Sequence, residues 1–155
     1  MIPLDPLPAA RVQGWESRLI AVIEAARERE YALGVHDCFS FTCAVVHALT
    51  GVDRWPLFGG YTSKRESLAR IAQYGSTFEK AYDYFFGATA RLPSPLFAQR
   101  GDILAIQTTD GVKHLGVCGG PYVLLLSDHG MASTPLDHAR VQAGFYTAAW
   151  KVGRA

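Results

Sequence analysis

The sequence predicts an α+β domain in which helices come first and an antiparallel sheet follows. Three observations predict it. Apolar residues recur at helical spacing through the first half, and the second half breaks into short apolar segments separated by glycine-bearing turns. The 155 residues, 49% hydrophobic and 19% charged, suffice for one compact core and are too few for two. Residues 1–155 are therefore read as a single domain, with 1–14 an extended lead punctuated by three prolines.

In chain order, Trp15, Leu19, Val22, Ile23 and Ala26 place an amphipathic helix that ends near Glu30. A second helix starts at Asp37, whose carboxylate suits an N-cap, and runs to Thr50, where Gly51 stops it. The glycines, proline and aromatics from Trp55 to Tyr61 make a packed loop. Ser63 and Glu66 then form a capping box that opens a third helix through Tyr74. Residues 77–86 suit a short fourth helix, and 91–99, with Pro93 and Pro95, a connector. Strands are placed at 102–107, 112–118, 122–127 and 145–152, as an antiparallel meander turning at Asp110-Gly111 and Gly119-Gly120, with 130–144 left as a glycine-bounded stretch of loop or short helix.

Composition excludes several functions. Fifteen basic against fourteen acidic residues, with no basic run, mark no nucleic-acid surface. The first fifteen residues lack the basic and apolar regions of a signal peptide, and the longest apolar run, 122–126, is too short to insert in a membrane. A soluble protein made in the cytoplasm is expected. Three cysteines at irregular spacing make no disulfide framework, so reduced thiols are expected.

The chemistry centres on Cys38. A cysteine just inside a helix N-terminus faces unpaired N–H groups and the positive dipole end, which favour thiolate over thiol. Such a nucleophile needs an imidazole base. His36 is too near in sequence, His47 points to the opposite side of the helix, and His129 and His138 sit late in the chain. His114 begins a strand directly after a turn, and a rigid strand end facing a helix N-terminus suits a Cys/His pair. Cys43 and His47 lie one helical turn apart, but no second ligand pair exists, so no metal is expected and Cys43 and Cys118 are read as core. Gly119-Gly120 is followed by neither a lysine nor a helix start, so no nucleotide or other cofactor is expected.

The order Tyr31-x-x-Gly34, Asp37-Cys38, Arg100-Gly101-Asp102 and His114-Leu115-Gly116-Val117 resembles the NlpC-type branch of papain-like cysteine peptidases, which hydrolyse peptide bonds in bacterial peptidoglycan. Gly34 to Cys38, Thr50-Gly51-Val52-Asp53, Gly60-Tyr61 and Ala149-Trp150-Lys151-Val152 are similar to a phage- and prophage-associated family within it. The resemblance implies a papain-like fold, Cys38 as nucleophile, His114 as general base, and an oxyanion met by the Cys38 N–H with the Tyr31 hydroxyl nearby. Phe39 and Ser40 depart from the serine and glycine usual after the cysteine. The residue orienting the imidazole falls within apolar 124–126 by spacing; Ser127, Asp128 or His129 serve if the hairpin is longer, with Asp128 preferred.

What the resemblance implies is a peptidoglycan hydrolase cutting stem peptides through an acyl-enzyme, carried in a phage tail and acting at the cell wall. Its partners would be stem peptides and tail or tail-tip proteins, with the aromatic loop 55–61 and the lead as docking surfaces. Two alternatives stay open: a tail-tip assembly protein that keeps the fold without catalysis, and a cytoplasmic thiol hydrolase or acyltransferase.

Overall fold

The computed structural model describes residues 2–154. Five helices, α1 (Trp15–Glu28), α2 (Cys38–Thr50), α3 (Lys64–Ala72), α4 (Phe78–Phe86) and α5 (His138–Gln142), accompany five strands, β1 (Ile103–Gln107), β2 (Lys113–Cys118), β3 (Tyr122–Ser127), β4 (Gly130–Pro135) and β5 (Tyr146–Trp150). The architecture is α+β, with four helices preceding a five-stranded sheet of order β4-β3-β2-β1-β5 whose neighbours are all antiparallel. The meander is thus four strands long, and β5 returns to the free edge of β1.

Part of the 130–144 stretch is a strand, not a loop. Gly130-Met-Ala-Ser-Thr-Pro135 is polar and small, with no apolar alternation to announce it, yet it pairs with β3 along its whole length. Partner strand and tight turn made β4, where propensity was silent. The fifth helix, capped by Asp137, follows it.

One face of the sheet, built by Ile103, Ala105, Leu115, Val117, Leu126 and Trp150, packs with Leu19, Val45, Leu49 and Phe85 from the helices. The other face is covered by Leu92, Ala98 and Val141, so the connector and α5 do there what the larger helices do opposite. Asp102 is fully buried at the start of β1. It accepts the Val152 and Gln99 N–H groups at 3.0 and 2.8 Å and pairs with Arg11 and Arg154, joining the lead, the sheet and the chain's end. A buried carboxylate is tolerated only when so fully bonded.

The lead is extended and held down: Arg11 donates to the Val152 and Arg100 carbonyls, Arg54 to Asp5 O, and Tyr84 to Ile2 O, while Leu4 and Leu7 pack on the core. The expectation that loop 55–61 presents its aromatics for docking fails in part. Phe58 and Tyr61 are 1% and 4% exposed, packed edge-on and tilted within the chain's own aromatic cluster, because the loop's rings complete the core behind α2.

Candidate active site

Residue by residue, the second helix explains the motif that opens it. Asp37 caps α2 through Oδ1, which accepts the Ser40 N–H at 2.9 Å, while the Asp37 N–H donates to Ser40 Oγ at 2.8 Å. This reciprocal capping box explains serine at position 40. Phe39 is 3% exposed, 4.0 Å from the Phe58 ring and close to Tyr82 and Phe85. Phe39 is thus an aromatic anchor that fixes the first turn of α2. Asp37 Oδ2 accepts the Gly34 N–H at 2.8 Å and the Tyr61 hydroxyl. The loop before the helix is closed by Ala32 and His36 exchanging backbone bonds of 2.9 and 2.7 Å, which sets Tyr31 beside the helix start.

The sheet supplies the other side. β2 pairs with β1 from Lys113 to Val117, but with β3 only through Val117 and Cys118. The two strands therefore part over 113–116 and 125–127, and the α2 N-terminus lies at that opening. The Leu115 backbone lies by the Cys38 sulfur and favours its thiolate. Lys113 is held by Glu79 at 3.0 and 3.2 Å, and Glu79 also accepts from Thr147 at 2.9 Å, so α4 braces the strand that carries His114.

A cleft of about 860 Å³ opens here, and Tyr31, Cys38, His114 and Asp128 all line it. Leu68, Ile71 and Phe78 give it an apolar wall. The other histidines are elsewhere: buried His36 bonds the Ala26 carbonyl at 3.0 Å, His47 lines a separate groove beside Asp53, and His129 and His138 are exposed. Cys43 and Cys118 are 1% and 0% exposed. Among the described residues no cluster of side chains is arranged to hold a metal ion.

The electrostatics correct one expectation. Burial pushes the Cys38 thiol up to about 11, against opposing N–H bonds from Leu115, Cys38 and Phe39, and the Asp37 charge adds to the rise. A helix terminus contributes about 0.3–1 kcal/mol, less than one pKa unit, whereas burial shifts a group by up to about 3–5 units. Desolvation wins. His114 is lowered from 6.5, first by burial and then by Lys64, against smaller pulls from Asp110 and Asp128. Tyr31 is raised to about 12 by burial and by the neighbouring Cys38, Asp37 and Asp128. The resting pair is neutral thiol and neutral imidazole.

Among the described residues no side chain hydrogen-bonds the His114 ring. Asp128 stands at the rim with 72% of its side chain exposed, 3.6 Å from His129. Tyr61, from the aromatic loop, lines the cleft while bonding Asp37, and sequence reasoning missed Lys64 and Asp110, whose charges act on His114. Only the folded juxtaposition of α3 and the β1–β2 turn exposes the last two.

Residues 10–152 match the family described as Domain of unknown function (DUF6950). The chain belongs to that family. No curated protein matches the chain. In this DUF6950 member the match takes in the whole cleft, from Tyr31 to Asp128.

One labelling result follows from burial and thiol ionisation. Iodoacetamide modifies Cys38 before Cys43 or Cys118, because only Cys38 borders the cleft. With a value of about 11, the reactive thiolate is about 10⁻⁴ of the total at pH 7, so labelling quickens about tenfold per pH unit up to that value. Mass spectrometry of the labelled peptides reads both. A rate already level above pH 7 contradicts the neutral thiol.

Proposed function

We propose that this protein is a phage tail-associated cysteine peptidase or amidase of papain-like, NlpC type that cuts peptidoglycan stem peptides through an acyl-enzyme. The observation that carries the reading is that Cys38, His114 and Tyr31 all line one cleft.

Because the resting pair is neutral, His114 works as a general base and not as one half of a standing ion pair. The Cys38 sulfur attacks the scissile carbonyl as its proton passes to the His114 ring. The carbonyl oxygen gains the negative charge and is met by the Cys38 N–H with the Tyr31 hydroxyl nearby. The intermediate collapses, the imidazolium gives its proton to the departing amine, and a thioester remains on Cys38. Water, deprotonated by His114, hydrolyses the thioester and restores the thiol.

Purified peptidoglycan sacculi incubated with the protein are expected to release soluble fragments with one new amino group per bond cut, and mass spectrometry is expected to find an acyl adduct on Cys38. Intact sacculi, or release without that adduct, overturns the proposal. The neutral pair and the unbonded imidazole favour a second reading, in which the domain serves tail-tip assembly without catalysis. Particles carrying Cys38→Ala separate the two: assembly with lost wall degradation fits the peptidase, and undiminished degradation fits the structural role.

A further inference from the structure

We propose that Lys64 confers specificity on this cleft by binding a carboxylate of the substrate close to the bond that Cys38 attacks; the inference rests on the hydrolase reading above. Lys64, Ser67, Leu68 and Ile71 all line the cleft, at spacings of three, four and seven residues that place them on one face of α3. No residue of α3 is fully buried and Leu68 is 60% exposed, so most of this face is open to the cleft, with Ile71 alone of the stripe also packing on the core.

Two lysines line the cleft, and only one is free to take an anion. Lys113 is held by both oxygens of Glu79. Lys64 makes no ion pair among the described residues. The cleft's own carboxylates do not neutralise it: Asp37 is bonded to the Gly34 and Ser40 N–H groups and the Tyr61 hydroxyl, and Asp128 stands at the rim beside His129. An unpaired cation with an apolar stripe one turn behind it suits a residue that carries a carboxylate on an aliphatic stem.

Lys64 also lies near the reacting groups, since its charge acts on His114 more strongly than that of Asp110 or Asp128. Lys64, Cys38 and His114 line one cleft, so the carboxylate belongs to a substrate residue near the scissile bond. The substrate class is an acidic peptide, and amidation of that carboxylate weakens it as a ligand.

The test uses the tripeptide L-Ala-γ-D-Glu-L-Lys and its counterpart with the glutamyl α-carboxylate converted to carboxamide, both amidated at the C-terminus. Titration calorimetry on the Cys38→Ala protein at low salt measures binding without turnover. The acid form is expected to bind up to about fivefold more tightly, the upper end of the range for an exposed ion pair. Adding Lys64→Met brings the ratio to about one, whereas Arg65→Met, on the same turn but outside the cleft, leaves it in place. Equal binding of the two peptides, no binding of either, or a preference that survives Lys64→Met overturns the inference. Selective binding without hydrolysis by the unsubstituted protein sinks the hydrolase reading and leaves the role of Lys64 standing; hydrolysis without preference does the reverse.

Discussion

On the proposed mechanism, Cys38→Ala is expected to lower stem-peptide hydrolysis by about 10⁴- to 10⁶-fold while the protein stays folded, the scale on which deleting a covalent nucleophile acts. In that mechanism the Cys38 sulfur bonds to the substrate, and neither of the other thiols can replace it, because Cys43 and Cys118 are sealed in the core. Removing one sulfur atom beside an open cleft costs roughly 1 kcal/mol of packing, so circular dichroism and the urea midpoint stay near those of the unsubstituted protein. The pH profile carries further information. With the imidazole below 6.5 and the thiol at about 11, kcat/KM falls on acidification only below the ordinary histidine range, as His114 gains its proton, and is level across neutral pH. A rate limited by the small preformed thiolate fraction would instead climb steadily toward pH 11. Residual activity in Cys38→Ala within tenfold of the original rejects a covalent mechanism.

Gly34→Ala is expected to destabilise the fold by about 3–5 kcal/mol, the sum of left-handed backbone strain, a backbone collision and a damaged cap. Gly34 has φ +78°, and a Cβ there would stand 1.9 Å from the Tyr61 carbonyl oxygen, a backbone atom that cannot swing aside. Its N–H also donates to the Asp37 carboxylate that caps α2. Displacement of Gly34 thus disturbs the cap, the Tyr61 contact and the approach of Tyr31 together. Gly14→Ala is the control, since Gly14 has φ +74° with nothing within 4 Å of a new Cβ, and its cost is backbone strain of about 1–2 kcal/mol. Urea unfolding of both variants decides the matter, and a Gly34→Ala protein no less stable than Gly14→Ala refutes the account.

Much of the fold was legible because its signals are local. The Asp37 cap and the Gly51 stop bound α2 as Cys38–Thr50, and Thr77 caps α4 as Phe78–Phe86. Turns at Asp110-Gly111 and Gly119-Gly120 place β1, β2 and β3. β4 was not legible: its small polar residues have no pattern of their own and become a strand through pairing with β3. Loop 55–61 was read as a packed loop, but which of its rings face inward depended on Phe39, a contact across 19 residues of chain.

Local signals in the chain set the helix that presents Cys38, the turn that precedes His114, and the glycine of Tyr31-x-x-Gly34, because caps, turns and left-handed positions are properties of neighbouring residues. The ionisation of the site depends on long-range packing. The helix terminus that favours a thiolate is a local feature, whereas the desolvation that overrides it comes from strands and aromatic residues far away in the chain. Tertiary structure likewise brought Lys64 to the cleft and kept hydrogen-bonding side chains off the His114 ring among the described residues, since charge and burial act through space and leave no trace in residue spacing.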